Sequence, residues 1–347
     1  MGTKYTSGLI FKDYGDDTCI LHRGRNVKDA EVIIPDIVSR GDCRGKKVHV
    51  IDDEAFYYNL DITSVVIPDS VREIGSAAFS DCFELKRIHL GKNLRKIAKY
   101  AFRNCPIEDI TVDPLNKNYK VIDGVLYTGN GKTLIRCFSK NIDSLAIPDS
   151  VKKIEDGAFF ESTIREIKMN SNVSHIGFEA FNDCNLESIE IPDKVTEILE
   201  WTFHGCKNLK NVVLGKGCIS ILENAFGNTA IENITIPESV KHIGPNAFRN
   251  CSALCSVSLP KDLECIEMFA FAECVNLKSI TIPGNVTEIK PHTFWNCNNL
   301  EFVRLSGEVS YIHDTAFKNC NKLTIKAPKD SYAEKYAKEN DIPFEAI

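Results

Sequence analysis

Residues 231–251 read IENITIPESVKHIGPNAFRNC, and residues 277–297 read LKSITIPGNVTEIKPHTFWNC. Both have an apolar residue, then I-x-I-P, then V-x-x-I, then Ala or Thr before Phe, and Cys three residues later. The register continues outward in both directions. Phe recurs at 56, 79, 102, 159, 181, 203, 226, 248, 271, 294 and 317, in steps of 22 or 23 except for one of 57. A fixed period of this size is the signature of a solenoid, in which one unit cannot cover its own apolar face and stacking neighbours do so.

Each slot has a physical reading. LxxIxI, rich in β-branched residues, reads as a short strand with its apolar positions inward. VxxI, as in Val71/Ile74 and Val240/Ile243, reads as a second extended run on another side of the coil. The Pro between them (Pro68, Pro192, Pro237, Pro283) lacks a backbone donor and suits a corner. The fold class is therefore a mainly β repeat solenoid with parallel strands. Its expected parts are an N-terminal β cap over 1–47, a repeat array over 48–325, and a C-terminal cap helix and tail over 326–347. In the cap, SGLIFKDYGDDTCILHRG reads as two strands around Asp16-Asp17, followed by a degenerate strand at Glu31 to Ile34. At the end, Ser331 is an N-cap with Glu334 three later, and Tyr332 and Tyr336 share a helix face. The long step contains an insert, 113–141, in which Asn130-Gly131 marks the turn of a β-hairpin projecting from one edge.

Composition narrows the function. The chain has 347 residues, 42 basic against 48 acidic side chains and a net charge of -6, so it carries no long-range attraction for nucleic acid or anionic lipid. No stretch approaches the roughly 18 apolar residues of a membrane span, and MGTKYTSGLIF lacks the apolar core of a signal peptide.

The pattern LxxIxIPxxVxxIxxxAFxxC resembles the BspA-like class of leucine-rich repeats, over about residues 48 to 325. The insert YKVIDGVLYTGNGKTLI and the tail SYAEKYAKEN are also similar to features that recur in that family. The resemblance implies a right-handed superhelix with a concave parallel sheet, displayed at a bacterial cell surface and used in adhesion or protein binding. A cytoplasmic location is the alternative where no leader is present. The partner implied is a protein or glycoprotein, host extracellular proteins included, met by a monomer. The sequence departs from the pattern at Asn59, Ser162 and Thr229, which replace Cys, and at Cys218, which fills the apolar slot before Phe226.

No catalytic, cofactor or metal site is expected. Eight of the 14 Cys share one repeat slot, where Ser, Asn and Thr also occur; the slot selects a small hydrogen-bonding group rather than redox chemistry. Cys251, Cys255, Cys265 and Cys274 are dense, but their slots point to different sides of the coil, against a four-ligand zinc site. GNGKT at 129–133 imitates a phosphate loop but precedes a strand, not a helix. The His residues are scattered, and HExxH and GxSxG are absent.

Binding is expected on the third and fifth positions of LxxIxI, which alternate with the buried ones and face outward. The residues singled out are Arg87, His89, Asp109, Glu166, Lys168, Glu190, Asn211, Asn233, Phe302 and Arg304. Charge gathers in the first half of the row, hydroxyls and amides in the second, where a glycan or polar protein surface would be read by hydrogen bonds. The VxxI side, with Arg72, Arg95, Lys96, Lys152, Lys153, Lys241 and His242, reads as a partly basic ridge. The competing reading is a structural spacer or presentation stalk with no ligand of its own.

Overall fold

Each coil is built around its Phe. In the structure, a computed structural model describing residues 6–139 and 142–347, the Ala-Phe pair lies at a corner with the ring fully inward. The chain divides into two compact units, Met1–Lys140 and Asn141–Ile347, each described separately. The first five residues of the expected cap, and Lys140 and Asn141 at the end of the expected insert, lie outside the described residues.

In the first unit, strands Glu31–Ile33, Ser64–Val66, Arg87–Leu90 and Asp109–Val112 pair in parallel, with Glu31, Ser64, Arg87 and Asp109 in register. A second parallel ladder joins Thr18–Arg23, Lys47–Ile51, Glu73–Ile74 and Lys96–Ile97. Ile10–Gly15 runs antiparallel against Thr18–Arg23 at the edge of this second ladder. The expected cap segment therefore does two jobs: one strand covers an edge, and the rest already forms a coil. Gly24 is required there, since a Cβ would lie 2.2 Å from the Phe56 ring.

The insert contains the hairpin read at Asn130-Gly131 and extends it by one strand. Tyr119–Ile122, Val125–Thr128 and Thr133–Cys137 form an antiparallel meander with two turns. The first turn uses Asp123-Gly124, both at positive φ (51° and 75°), as a two-residue hairpin of this hand requires. The middle strand is buried: Val125, Leu126 and Tyr127 form an apolar run that solvent would penalise. Phe138 then packs edge-on against Phe102, 6.1 Å between centroids.

In the second unit the first ladder is interrupted. Ser144–Ala146, Glu166–Lys168, Ser188–Glu190 and Asn211–Val213 form one sheet; Asn233–Thr235 and Ser256–Ser258 a second; Ser279–Thr281, Phe302–Arg304, Thr324–Ala327 and Phe344–Ala346 a third. The helix Tyr332–Glu339 is capped by Ser331, whose hydroxyl accepts from the Glu334 amide at 3.3 Å. Tyr336 and the two Ala of this helix are buried, while Tyr332 is exposed, so the two Tyr do not share a buried face. The tail adds a strand: Phe344–Ala346 pairs in parallel with Thr324–Ala327 and covers that edge.

Two ladders run through the cores. The Phe rings stack coil on coil, at 4.9 and 5.7 Å for Phe56-Phe79-Phe102 and between 4.9 and 5.8 Å from Phe159 to Phe317. Beside them the corner thiols donate one coil back: Cys82 to the Phe56 carbonyl (3.2 Å), Cys206 to Phe181 (2.9 Å), Cys251 to Phe226 (3.1 Å), Cys274 to Phe248 (3.2 Å) and Cys320 to Phe294 (3.0 Å). Where Cys is replaced, Asn59 donates to the Gly24, Arg25 and Val27 carbonyls, and Thr229 to Phe226. All 14 Cys are free.

The corner also imposes left-handed backbone two residues before and two after Phe, as at Asn224 and Asn228 or Asn246 and Asn250. Asn and Asp tolerate this region best after Gly, which explains the N-C and D-C dipeptides of the repeat.

Candidate functional site

The outward row lies where the LxxIxI alternation places it. Arg87, Asp109, Glu166, Lys168, Glu190, Asn211, Asn233 and Arg304 are exposed; His89 and Phe302 are half-buried. Arg87, His89 and Asp109 belong to the first unit and the other seven to the second. In the first unit Arg87 pairs with Glu31 (3.6 Å) and stands in register with Asp109, while His89 Nδ1 meets the Thr111 hydroxyl at 2.9 Å. In the second, Glu166, Ser188 and Asn211 share one register line. Phe302 lies beneath the Lys326 ammonium, 4.8 Å from the ring centroid, and Arg304 stands beside Lys326.

The two interruptions of the ladder make this row more than a flat strip. A cleft of about 420 Å³ lies over strands Asn211–Val213, Asn233–Thr235 and Ser256–Ser258, lined by Val213, Lys216, Asn233, Thr235 and Ser256 among others. A second, of about 540 Å³, opens between Ser256–Ser258 and Ser279–Thr281, with Glu238, Lys261, Ser279 and Thr281 on its walls. Both present hydroxyls and amides, and Val213 adds an exposed apolar side chain to the first, while Val212, Ile234 and Ile280 beneath them are buried in the core. The Ser256 hydroxyl already donates to Asn233 Oδ1 at 2.6 Å, so part of this surface is pre-oriented.

The VxxI side is basic only in part: in the first unit burial, with the charges of Arg72, Lys47 and Arg95, holds His49 below its ordinary value, whereas other basic residues are paired. Lys96 pairs with Glu73, Lys153 with Glu155 (2.8 Å), and Lys241 approaches Asp262 and Glu264 (both 3.9 Å). The neutralising acids come from the same or a neighbouring coil, a pairing that a count of basic residues along the chain does not reveal.

Two groupings escaped the sequence reading. At the Phe corners, aromatic residues flank the core ring on its solvent side: Tyr58 meets Phe83 edge-on at 5.9 Å in the first unit. In the second, Trp201 meets His204 at 4.4 Å, and Phe269 stacks on His292 at 4.7 Å with Trp295 beside them. A cleft of about 320 Å³ on this edge is lined by Trp201, His204, Asn228, Arg249 and Glu273 among others. Reading the slots beside Phe, rather than Phe alone, would have revealed it.

The second grouping lies on the VxxI side. His242, Cys265 and Glu267 bring one nitrogen, one sulfur and one oxygen within 4.8 Å of one another, the one such trio among the described residues. The Cys265 thiol donates to Glu267 at 3.2 Å, and Lys290 to the same carboxylate at 2.9 Å. Burial, aided by the Glu267 carboxylate, pushes the Cys265 thiol up to about 11. Burial also works to raise Glu267, but the Lys290 ammonium outweighs it and holds the carboxyl below its ordinary value. The expected separation of Cys251, Cys255 and Cys274 is kept: Cys251 and Cys274 are buried at corners and Cys255 is exposed.

Stacked coils with short parallel strands, a corner Phe ladder and one C-terminal helix define a leucine-rich-repeat β-solenoid. The chain belongs to the family of the BspA type leucine rich repeat region, whose profile matches in 6 copies over residues 49–130, 135–255 and 219–340. Among solved structures it is similar to a leucine rich cell surface protein from Faecalibacterium prausnitzii A2-165, at 26% identity and TM-score 0.61, over 97% of each chain. Leucine-rich repeat proteins from Bacteroides ovatus (22% identity, TM-score 0.57, 98% of each chain) and Eubacterium ventriosum (22%, 0.59, 77% of this chain and 82% of the other) share the fold. No match is found among proteins of curated function. Among the described residues no helix is long and apolar enough to cross a membrane.

Proposed function

We propose that the chain is a non-enzymatic adhesion or protein-binding module, displayed at a bacterial cell surface, that meets a protein or glycoprotein partner as a monomer. Its outward strand row, the concave face of the family's solenoid, is the contact surface. The observation that carries this reading is the pair of clefts on the outward strand row, walled by Asn233, Thr235, Ser256, Ser258, Ser279 and Thr281, with the exposed Val213 as an apolar contact. Interfaces make about one hydrogen bond per 100 to 200 Å² of buried surface, which such hydroxyls and amides supply. Cell-surface display rests on the description of the F. prausnitzii protein and on membership of the family.

The test is surface plasmon resonance of the intact chain against a panel of host extracellular-matrix glycoproteins, with and without enzymatic removal of their N-glycans. Binding that falls at least tenfold in Asn233→Ala/Ser256→Ala, with an unchanged melting temperature, supports the cleft row. A second variant, Arg87→Ala/His89→Ala, reports on the charged row of the first unit, and Phe302→Ala/Arg304→Ala on the far end of the second. Binding unaltered in all three rejects the strand row as the contact surface. Absence of binding to the whole panel favours the spacer reading.

A further inference from the structure

We infer that His242, Cys265 and Glu267 form a binding site for a thiophilic divalent cation of the Zn²⁺, Co²⁺ or Cd²⁺ class, with Lys290 as the built-in cation that such an ion displaces.

The repeat itself assembles the trio. His242–Ile243 and Cys265–Ile266 are neighbouring strands of the second ladder, with His242 directly in register with Cys265. Residues two apart on an extended chain point the same way, so Glu267 follows Cys265 to the outer side while Ile266 is buried between them. The carboxylate thus reaches both partners: its Oε1 lies 3.2 Å from Cys265 Sγ and 3.8 Å from His242 Nε2.

These separations fit a tetrahedral ion. Bonds of about 2.3 Å to sulfur and about 2.0 to 2.2 Å to nitrogen and oxygen place ligand atoms about 3.3 to 3.7 Å apart. Both His242 and Glu267 are partly open to solvent, at 35% and 20% side-chain exposure, so small rotations close the remaining gap and a water completes the fourth position. The ligand set chooses the metal class. A thiolate with an imidazole suits borderline and soft ions, whereas Mg²⁺ and Ca²⁺ prefer all-oxygen shells. Charge balances as well: the Cys265 thiol releases its proton to solvent, and thiolate plus carboxylate offset the two positive charges.

Lys290 makes the proposal specific. Its ammonium donates to the same Glu267 oxygen at 2.9 Å, so ion and ammonium compete for one carboxylate. An adventitious thiol site elsewhere on the chain has no such competitor.

The experiment is a Co²⁺ titration of the reduced full chain, in a Cys255→Ser background that removes the exposed thiol, read by the near-ultraviolet thiolate-to-cobalt charge-transfer band and reversed by Zn²⁺. One Co²⁺ per chain is expected, with the band lost in Cys265→Ser and affinity reduced at least tenfold in His242→Ala. Lys290→Met is expected to tighten binding by on the order of tenfold, because a cation leaves the site. Zn²⁺ should raise the melting temperature of the parent protein and not that of Cys265→Ser. If Cys265→Ser does not fold, Glu267→Gln replaces it. A band that survives loss of Cys265 or Glu267, no band at millimolar Co²⁺, or an affinity unmoved by Lys290→Met overturns the inference.

Discussion

Replacing Phe248 by Ala tests the packing logic at its centre. The ring has no solvent exposure and lies between Phe226 and Phe271, 5.4 and 5.3 Å away and nearly parallel to both. Truncating a buried Phe costs about 3 to 5 kcal/mol, from lost transfer free energy and the cavity left behind. Two ring contacts, each worth about 0.5 to 1.5 kcal/mol beyond area, place Phe248 in the upper part of that range. The corner cannot collapse to fill the hole, because the Cys274 thiol is held on the Phe248 carbonyl at 3.2 Å. Phe317 supplies the comparison. It stacks on Phe294 on one side and meets only the tilted Tyr336 ring on the other, so Phe317→Ala should cost less. Urea unfolding followed by far-ultraviolet circular dichroism reads both, with the slope checked for loss of cooperativity along the repeats. A loss below about 1 kcal/mol for Phe248→Ala, or a larger loss at Phe317 than at Phe248, refutes the stacked-ring account of stability.

Three further outcomes are expected. Native protein should react rapidly with a thiol reagent at Cys255, the exposed thiol, while buried thiols such as Cys206 and Cys274, pushed well up by burial, react only on unfolding; titration with Ellman's reagent, with and without guanidinium, measures this. His204 is held below its ordinary 6.5 by burial, only partly opposed by Asp183, and its Nε2 accepts from Asn228 at 3.1 Å. The unfolded chain takes up a proton there that the native chain resists, so this contribution is full above pH 6.5 and declines as pH falls below it. Urea midpoints at pH 7.5 and 5.5 should differ less in His204→Gln than in the parent. Glu161 occupies a left-handed corner position (φ 56°) that Asn fills at 104, 228, 250, 296 and 319. Glu161→Asn should therefore stabilise the protein by about 0.5 to 1 kcal/mol, and a lower melting temperature would contradict the strain assigned to the corner.

The repeat was legible because one physical demand recurs in every coil. Each must bury a Phe, two β-branched strand positions and a corner donor, and each returns the same residue types at the same spacing. The outward strand row followed from simple alternation. What stayed hidden depends on relations between coils. The breaks in the ladder at Val213/Asn233 and Ser258/Ser279 fall between coils of the same residue pattern, so residue type does not mark them. Cys265 and Glu267 are 23 and 25 residues from His242, so a search for metal ligands by local spacing passes over them. In the insert the hairpin across Asn130-Gly131 was legible, but not the further strand Tyr119–Ile122, which pairs through the Asp123-Gly124 turn and helps bury the middle strand. The closing strand Phe344–Ala346 is too short and too polar to announce itself.

The thiol ladder gives the fold a direction and a unit of change. Every corner Cys satisfies a carbonyl belonging to the preceding turn, so excising or duplicating one period in phase delivers the next Cys to an equivalent Phe carbonyl. A cut out of phase leaves such a carbonyl with only the amide of its own corner, as Phe248 has in Cys251. Gene rearrangements that shorten or lengthen the array by whole periods are therefore the tolerated ones, and the length of the outward strand row is adjustable in steps of one rung, about 4.8 Å, without redesign of the interior.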